Sequence, residues 1–336
     1  MKNEKIVLGQ FFTKDKLWLK PHIINFINDS HCSLAYDPFA GNGDLLFATI
    51  DNTFVREAMG LDIDKSLKWQ YNDSLIKIPH IENAIIITNP PYLSSYSASR
   101  KGLKEKVNIY FNSSIYDDLY FIALDKMLEA QDYVVAIVPE TFINSSYRQK
   151  KRLVSITVLE DNPFTDTECP VVVLCFDDKP KDLASILIYK NDKLVCNLEA
   201  VEKQRLFPKN NVPITFNSKN GWLAIKCVDG VNKDDFIRFD FKKNMNYDWD
   251  NNIKVSSRLF TLVNLDVKPS NRKELVVKCN SILSDLRKAS FDLVLSPFKG
   301  NSKSGIRRRR LDYLTARAII EKAYELSIKG ECYEQH

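Results

Sequence analysis

The feature that most constrains this chain is Asn89-Pro90-Pro91-Tyr92, which directly follows the apolar run Ala84-Ile85-Ile86-Ile87-Thr88. The run reads as a buried strand, and the prolines forbid its continuation. Proline has no N–H for a ladder and a fixed φ, and it pushes the residue before it away from the helical region. The backbone therefore emerges stiff and exposed at the strand's carboxyl end, with an amide side chain on one side and an aromatic ring on the other. Open α/β sheets bind their ligands at that end. The Asn89 side-chain oxygen and the Pro90 carbonyl can accept both hydrogens of an exocyclic amine, while Tyr92 lies flat on the ring that carries it. These residues suit a planar, amino-bearing ring such as adenine. A plain Pro-Pro turn after a core strand is the competing reading.

Upstream, Tyr36-Asp37-Pro38-Phe39-Ala40-Gly41-Asn42-Gly43-Asp44 stands between a short apolar segment and the helical pattern Leu45-Leu46-Phe47-Ala48. A strand, a glycine turn and a helix are predicted. Glycine lets the backbone approach a ligand and adopt positive φ, and a helix N-terminus offers free N–H groups. Only 10 glycines occur in 336 residues, so two placed one residue apart carry weight. No third glycine completes a dinucleotide fingerprint, and Asp37 and Asp44 would repel a phosphate. A ligand bearing an ammonium or sulfonium would be attracted, which points away from NAD and ATP and towards S-adenosylmethionine. Asp62 lies 19 residues past Gly43, at the end of Met59-Gly60-Leu61, where such folds hold ribose hydroxyls. Asp73 follows at the predicted end of a third strand, placed to accept from an adenine amino group. Taken singly, either acid could be a helix cap.

In order, these segments resemble the N6-adenine amino-methyltransferases of DNA in their gamma arrangement, over roughly residues 9–177. The resemblance implies a Rossmann-like α/β S-adenosylmethionine-dependent core followed by a mixed α+β target-recognition domain. It places Gln10, Phe11, Phe12 and Thr13 in the N-terminal motif that closes over the cofactor's methionine end. Asp37, Phe39, Ala40, Gly41 and Gly43 fall in the glycine-loop motif, with Asp37 near the methionine ammonium; Asp62 and Asp73 match the ribose and adenine contacts. Asn89, Pro90 and Tyr92 match the catalytic motif, Asn89 also bordering the cofactor, and Phe164 matches the aromatic that stacks with Tyr92 on the extruded base. A core phenylalanine is the plainer reading of Phe164. Asp118–Leu128 reads as an amphipathic helix and Asp132–Pro139 as a buried strand.

The charge is uneven. Residues 1–180 hold 19 Lys/Arg against 24 Asp/Glu, and residues 181–336 hold 29 against 19. An acidic first half suits a cationic cofactor, and a basic second half is the footprint of a polyanion. We place a boundary near Asp177-Asp178-Lys179-Pro180-Lys181, giving a catalytic domain over 1–180 and a recognition domain over 181–336. In the latter, Lys299–Gly305 reads as a mobile loop before Arg307-Arg308-Arg309-Arg310. Lys303 and the four arginines are candidate DNA contacts, with the start of a solvated helix as the plain reading. Arg100 and Lys101, just after the catalytic motif, are further candidates. From Arg272 onward the pattern is helical.

Seven scattered cysteines with no C-x-x-C pair argue against a metal site and a disulfide scaffold. No 18-residue apolar run exists, and the N-terminus lacks an apolar signal region. A cytoplasmic prokaryotic or phage protein, monomeric and away from membranes, is expected. The expected activity is methyl transfer from S-adenosylmethionine to the N6 amine of an adenine flipped out of double-stranded DNA, in a restriction-modification setting where a cognate endonuclease acts separately. RNA adenine and protein glutamine methylation are the alternatives.

Overall fold

The structure, a computed structural model, describes residues 16–164, 167–232, 234–252, 254 and 257–329. The chain divides into two compact units, Met1–Leu198 and Glu199–His336. Among the described residues no helix is long and apolar enough to cross a membrane.

The first unit is built on one sheet of nine strands: β1 (Leu34–Asp37), β2 (Glu57–Asp62), β3 (Gln70–Tyr71), β4 (Ala84–Thr88), β5 (Val134–Pro139), β6 (Leu153–Val158), β7 (Val171–Phe176), β8 (Leu187–Lys190) and β9 (Lys193–Asn197). Their spatial order is β3-β2-β1-β4-β5-β7-β6-β8-β9. The first five run parallel, and β7 lies antiparallel to both β5 and β6. All five residues of β4 and all six of β7 are buried. Such strands, covered on both faces, read as continuous apolar runs.

Helices α1 (Pro21–Asp29) and α2 (Asp44–Asn52) follow from local sequence. Proline opens α1, where its missing N–H costs nothing, and Ile23 and Ile27, one turn apart, are fully buried. Gly43 enters α2 from a left-handed conformation, φ 86°. After the Asn89–Tyr92 turn the chain forms α3 (Ser95–Arg100) and α4 (Lys104–Asn112), then α5 (Leu119–Ala130) leading into β5 as expected. The Ser94 hydroxyl caps α3 by accepting from the Ser97 N–H.

The boundary differs from the sequence reading. Leu187–Lys190, within the span assigned above to the recognition domain, forms β8, which pairs parallel with β6, and the first unit runs on to Leu198. The charged break near Pro180 is a connection between two strands of one sheet.

The second unit holds a four-stranded antiparallel sheet, β10 (Thr215–Phe216), β13 (Phe260–Asn264), β11 (Leu223–Lys226) and β12 (Arg238–Phe241), in that spatial order. The long helix α6 (Arg272–Ala289) packs on β12 and on α7 (Tyr313–Tyr324). Between the helices lies a hairpin, β14 (Ser296–Asn301) with β15 (Arg307–Arg310). The expected mobile loop and helix start are therefore a β-ribbon, whose last residue bridges to Val228. Alternating side chains in a strand, unlike those of a solvated helix turn, send some arginines inward.

Candidate active site

In the parallel part of the sheet the chain passes β3-β2-β1 in one direction and β4-β5 in the other, so the order reverses between β1 and β4. Crevices form outside the carboxyl ends of strands at such a point. Asp37 is the last residue of β1, and Asn89 immediately follows β4. An open cleft lies there, lined among others by Asp37, Phe39, Gly41, Asp62, Asp73 and Asn89. Ala40 also borders it. The tertiary fold thus brings together residues read from four separate sequence segments.

Asp37 is 2% exposed. Its Oδ1 accepts from the Thr88 hydroxyl at 2.5 Å and the Phe39 N–H at 2.9 Å. Burial pushes its carboxyl up to about 7, against the pull of those two donors, and the nearby Asp62 adds to the rise. Asp62 accepts from the Gly41 N–H at 2.9 Å through one oxygen and from the Asp64 N–H at 2.8 Å through the other. Asp73 accepts from the Tyr110 hydroxyl at 2.8 Å and the Leu75 N–H at 3.2 Å. The acids are thus held by backbone and neutral donors, and no cation is among these partners. A cationic ligand finds a ready field, strongest where the dielectric is lowest.

In the catalytic turn, Pro90 and Pro91 are buried and Asn89 and Tyr92 are half-buried. The Tyr92 hydroxyl meets two oxygens, the Ile137 carbonyl at 2.8 Å and the Asn89 side-chain oxygen. A hydroxyl carries a single proton. That proton is shared between the two acceptors, and the Asn89 amide presents its oxygen to the hydroxyl. Tyr92 is therefore an orienting group for Asn89 as well as an aromatic surface. Its ring meets Phe164 edge-on at 6.3 Å and Tyr120 at 6.4 Å. Phe164, 6% exposed, packs in the main core cluster alongside Tyr92. The structure gives this phenylalanine a core position that buttresses the tyrosine.

Two cleft-shaping aromatics escaped the sequence reading. Trp69 donates its indole N–H to the Gly41 carbonyl at 2.9 Å. Gly43, read above as room for a ligand, gives its space to this indole: a Cβ there would stand 2.7 Å from the ring, and one at Gly60 would stand 2.5 Å from it. In this loop open space remains at Gly41, φ 52°, where a Cβ would meet nothing within 4 Å. The signal that could have found Trp69 is Gly60, since a glycine inside a strand marks a close approach. Tyr110, on α4, belongs to a segment with no motif spacing at all.

The basic candidates divide. Arg100 and Lys101 are exposed at the end of α3, with the Arg100 guanidinium 5.8 Å from the exposed Tyr96 ring. In the second unit Lys303 is exposed, Arg307, Arg308 and Arg310 are half-buried and Arg309 is 2% exposed. Arg309 donates to the Leu295 carbonyl and, through its backbone N–H, to Asp229 at 3.0 Å. Asp229 also takes both arms of Arg287, at 2.9 and 3.0 Å. Arg308 donates to the carbonyls of Asp229 and Lys299. Arg309 is thus removed from the surface contacts expected of it, because its strand turns it inward. Gln10, Phe11, Phe12 and Thr13 lie outside the described residues.

Residues 12–166 match the family model of the Eco57I restriction-modification methylase, in agreement with the resemblance read from the motifs. No curated protein matches the chain. Among solved structures, the chain is similar to a methyltransferase subunit of a type I restriction-modification system from Streptococcus thermophilus, at 16% identity and TM-score 0.40 over 60% of this chain and 49% of that one. It is similar to a modification subunit assigned to a type I restriction enzyme from Vibrio vulnificus, at 15% and 0.40 over 54% and 47%. A chain from Listeria monocytogenes described as a class I S-adenosylmethionine-dependent methyltransferase matches at 15% and 0.39, over 55% and 67%. The chain spans about half the length of the two type I subunits. The first unit is an α/β unit built on a mixed nine-stranded sheet, and the second is mixed α+β.

Proposed function

We propose that this protein transfers a methyl group from S-adenosylmethionine to the N6 amine of an adenine swung out of double-stranded DNA, in a restriction-modification setting. The observation that carries the reading is the meeting, in one cleft, of Asn89 and Pro91 of the turn with the carboxylates of Asp37, Asp44, Asp62 and Asp73 and a glycine whose face is open. The residues fit the cofactor. Asp37 faces where an ammonium would settle, Gly41 lets the ligand lie against backbone, and Asp62 and Asp73 retain acceptor capacity for ribose hydroxyls and an amino group. When bound, S-adenosylmethionine supplies an electrophilic methyl on sulfur.

The protein's part is positioning and electrostatics. Asn89, oriented by Tyr92, and the Pro90 carbonyl accept the two N–H bonds of the target amine. That draws the nitrogen's lone pair out of conjugation with the ring and aims it. The Tyr92 ring offers a stacking surface at roughly 1–3 kcal/mol per base, which offsets part of the few kcal/mol needed to unpair and flip the base. Burial holds the Tyr92 hydroxyl well above its ordinary value, so it stays a neutral donor. Lys303 and the half-buried arginines of the second unit, with Arg100 and Lys101 of the first, supply positive charge for a phosphate backbone.

Incubation with labelled S-adenosylmethionine and unmethylated bacterial DNA tests the reading, with the product nucleoside identified by mass. N6-methyladenine is expected. Label entering RNA or a protein glutamine instead would transfer the assignment to those substrates, since the same turn serves any amide or aromatic amine.

A further inference from the structure

We infer that Trp69 is the positioning residue of the cofactor loop, holding the Gly41 peptide in the left-handed turn against which the ligand lies. This inference rests on the reading of the cleft as a cofactor site. Three observations carry it. Gly41 is pinned on both sides: Asp62 takes its N–H at 2.9 Å, and the Trp69 indole donates to its carbonyl at 2.9 Å. Its φ of 52° and open face are the properties a ligand-facing turn needs. The indole fills the two places where Gly43 and Gly60 lack a side chain. Either Cβ would approach it to 2.7 Å or less.

The chemistry of the side chain fits the task. The indole N–H can only donate, so its bond fixes which way the Gly41 carbonyl points. The two peptide groups that flank Gly41 are then each committed, one to Asp62 and one to Trp69, and the orientation of the turn no longer depends on the ligand. A peptide free to turn would have to be ordered on binding, at an entropic cost charged against affinity. A rigid loop avoids that cost. Trp69 stands behind the loop and needs no contact with ligand; it acts through Gly41.

Two variants test the inference on the full chain. Trp69→Phe keeps a ring but loses the donor, and Gly60→Ala puts a methyl where the indole sits. Binding of S-adenosylhomocysteine is read by calorimetry, and hydrogen exchange of the peptide spanning residues 39–44 is read with no ligand present. For Trp69→Phe we expect binding weakened by about tenfold, the loss of one net hydrogen bond. Its kcat at saturating cofactor should stay within about twofold, and exchange of the loop should be faster. Gly60→Ala should reproduce both the weakening and the faster exchange. A lowered melting temperature in both variants, with wild-type affinity and wild-type loop exchange, would make Trp69 core filling and overturn the inference. Failure of the wild-type protein to bind S-adenosylhomocysteine would instead remove the cofactor reading, and the ligand-free exchange would still decide whether Trp69 holds the loop.

Discussion

The two units treat charge in opposite ways. In the first, acids sit at the carboxyl ends of strands, held by backbone N–H groups and hydroxyls, and they face a cleft. In the second, a run of four arginines lies along a strand, and Arg309 is 2% exposed while Arg308 beside it reaches carbonyls of its own unit. Charge at a strand's end is free to meet a ligand, because the ladder has stopped there. Charge along a strand is divided by the pleat, and the inward share becomes structure.

The largest effect that would sharpen this contrast is at the catalytic turn. Asn89→Ala should lower methyl transfer by about 10²–10³-fold, the usual loss for one preorganised group, while calorimetric cofactor binding persists. Normal turnover would break the link between strand-end placement and chemistry.

The inward arginine should answer differently. Arg309→Ala should destabilise the second unit by about 2–4 kcal/mol, as large truncations in buried sites do, seen as a lower denaturation midpoint. The salt dependence of DNA binding should be unchanged. A normal midpoint with a shallower salt slope would place Arg309 on the nucleic acid after all.

Asp37 links the cleft to pH. Its folded value of about 7 lies above the roughly 3.9 of an unfolded aspartate. Between these values the folded state holds the proton and the unfolded state does not, so Asp37's contribution to stability is present at acid pH and is lost as pH rises from about 4 through about 7. Cofactor binding should run the other way, since an ammonium prefers the carboxylate. Affinity should rise by up to tenfold per pH unit below about 7 and level off above it, with a proton released on binding. Calorimetry in buffers of different ionisation enthalpy reads that proton. Asp37→Asn should abolish the pH dependence, and its persistence would assign the titration to another group.

The smallest effect is expected at the exposed basic pair beside the turn. Arg100→Ala should reduce the salt slope of DNA binding by about one and weaken affinity evenly across sequences. A sequence-dependent loss would make Arg100 a base reader.

How much of this was visible beforehand depends on the kind of signal. Asp37, Gly41, Asp62, Asp73 and Asn89 were legible because each ends or follows a strand, and strand ends are written locally in the sequence. Trp69 and Tyr110 were not. Trp69 lies 28 residues from its hydrogen-bond partner Gly41, and Tyr110 lies 37 residues from Asp73. No period or motif records such distances. The span 307–310 was misread because composition reports how much charge a segment has, and only pairing with 296–301 decides which way each side chain points.

The sequence by itself determined the parallel core, the turn that ends β4 and the acidic character of the cleft, since apolar runs, prolines and strand-end acids act through their nearest neighbours along the chain. The tertiary structure alone decided which glycine faces open space, how the Asn89 amide is turned, where the first unit ends and which arginine is buried. Each of those depends on a side chain or strand brought near from a distant part of the chain, and such proximity is a property of packing.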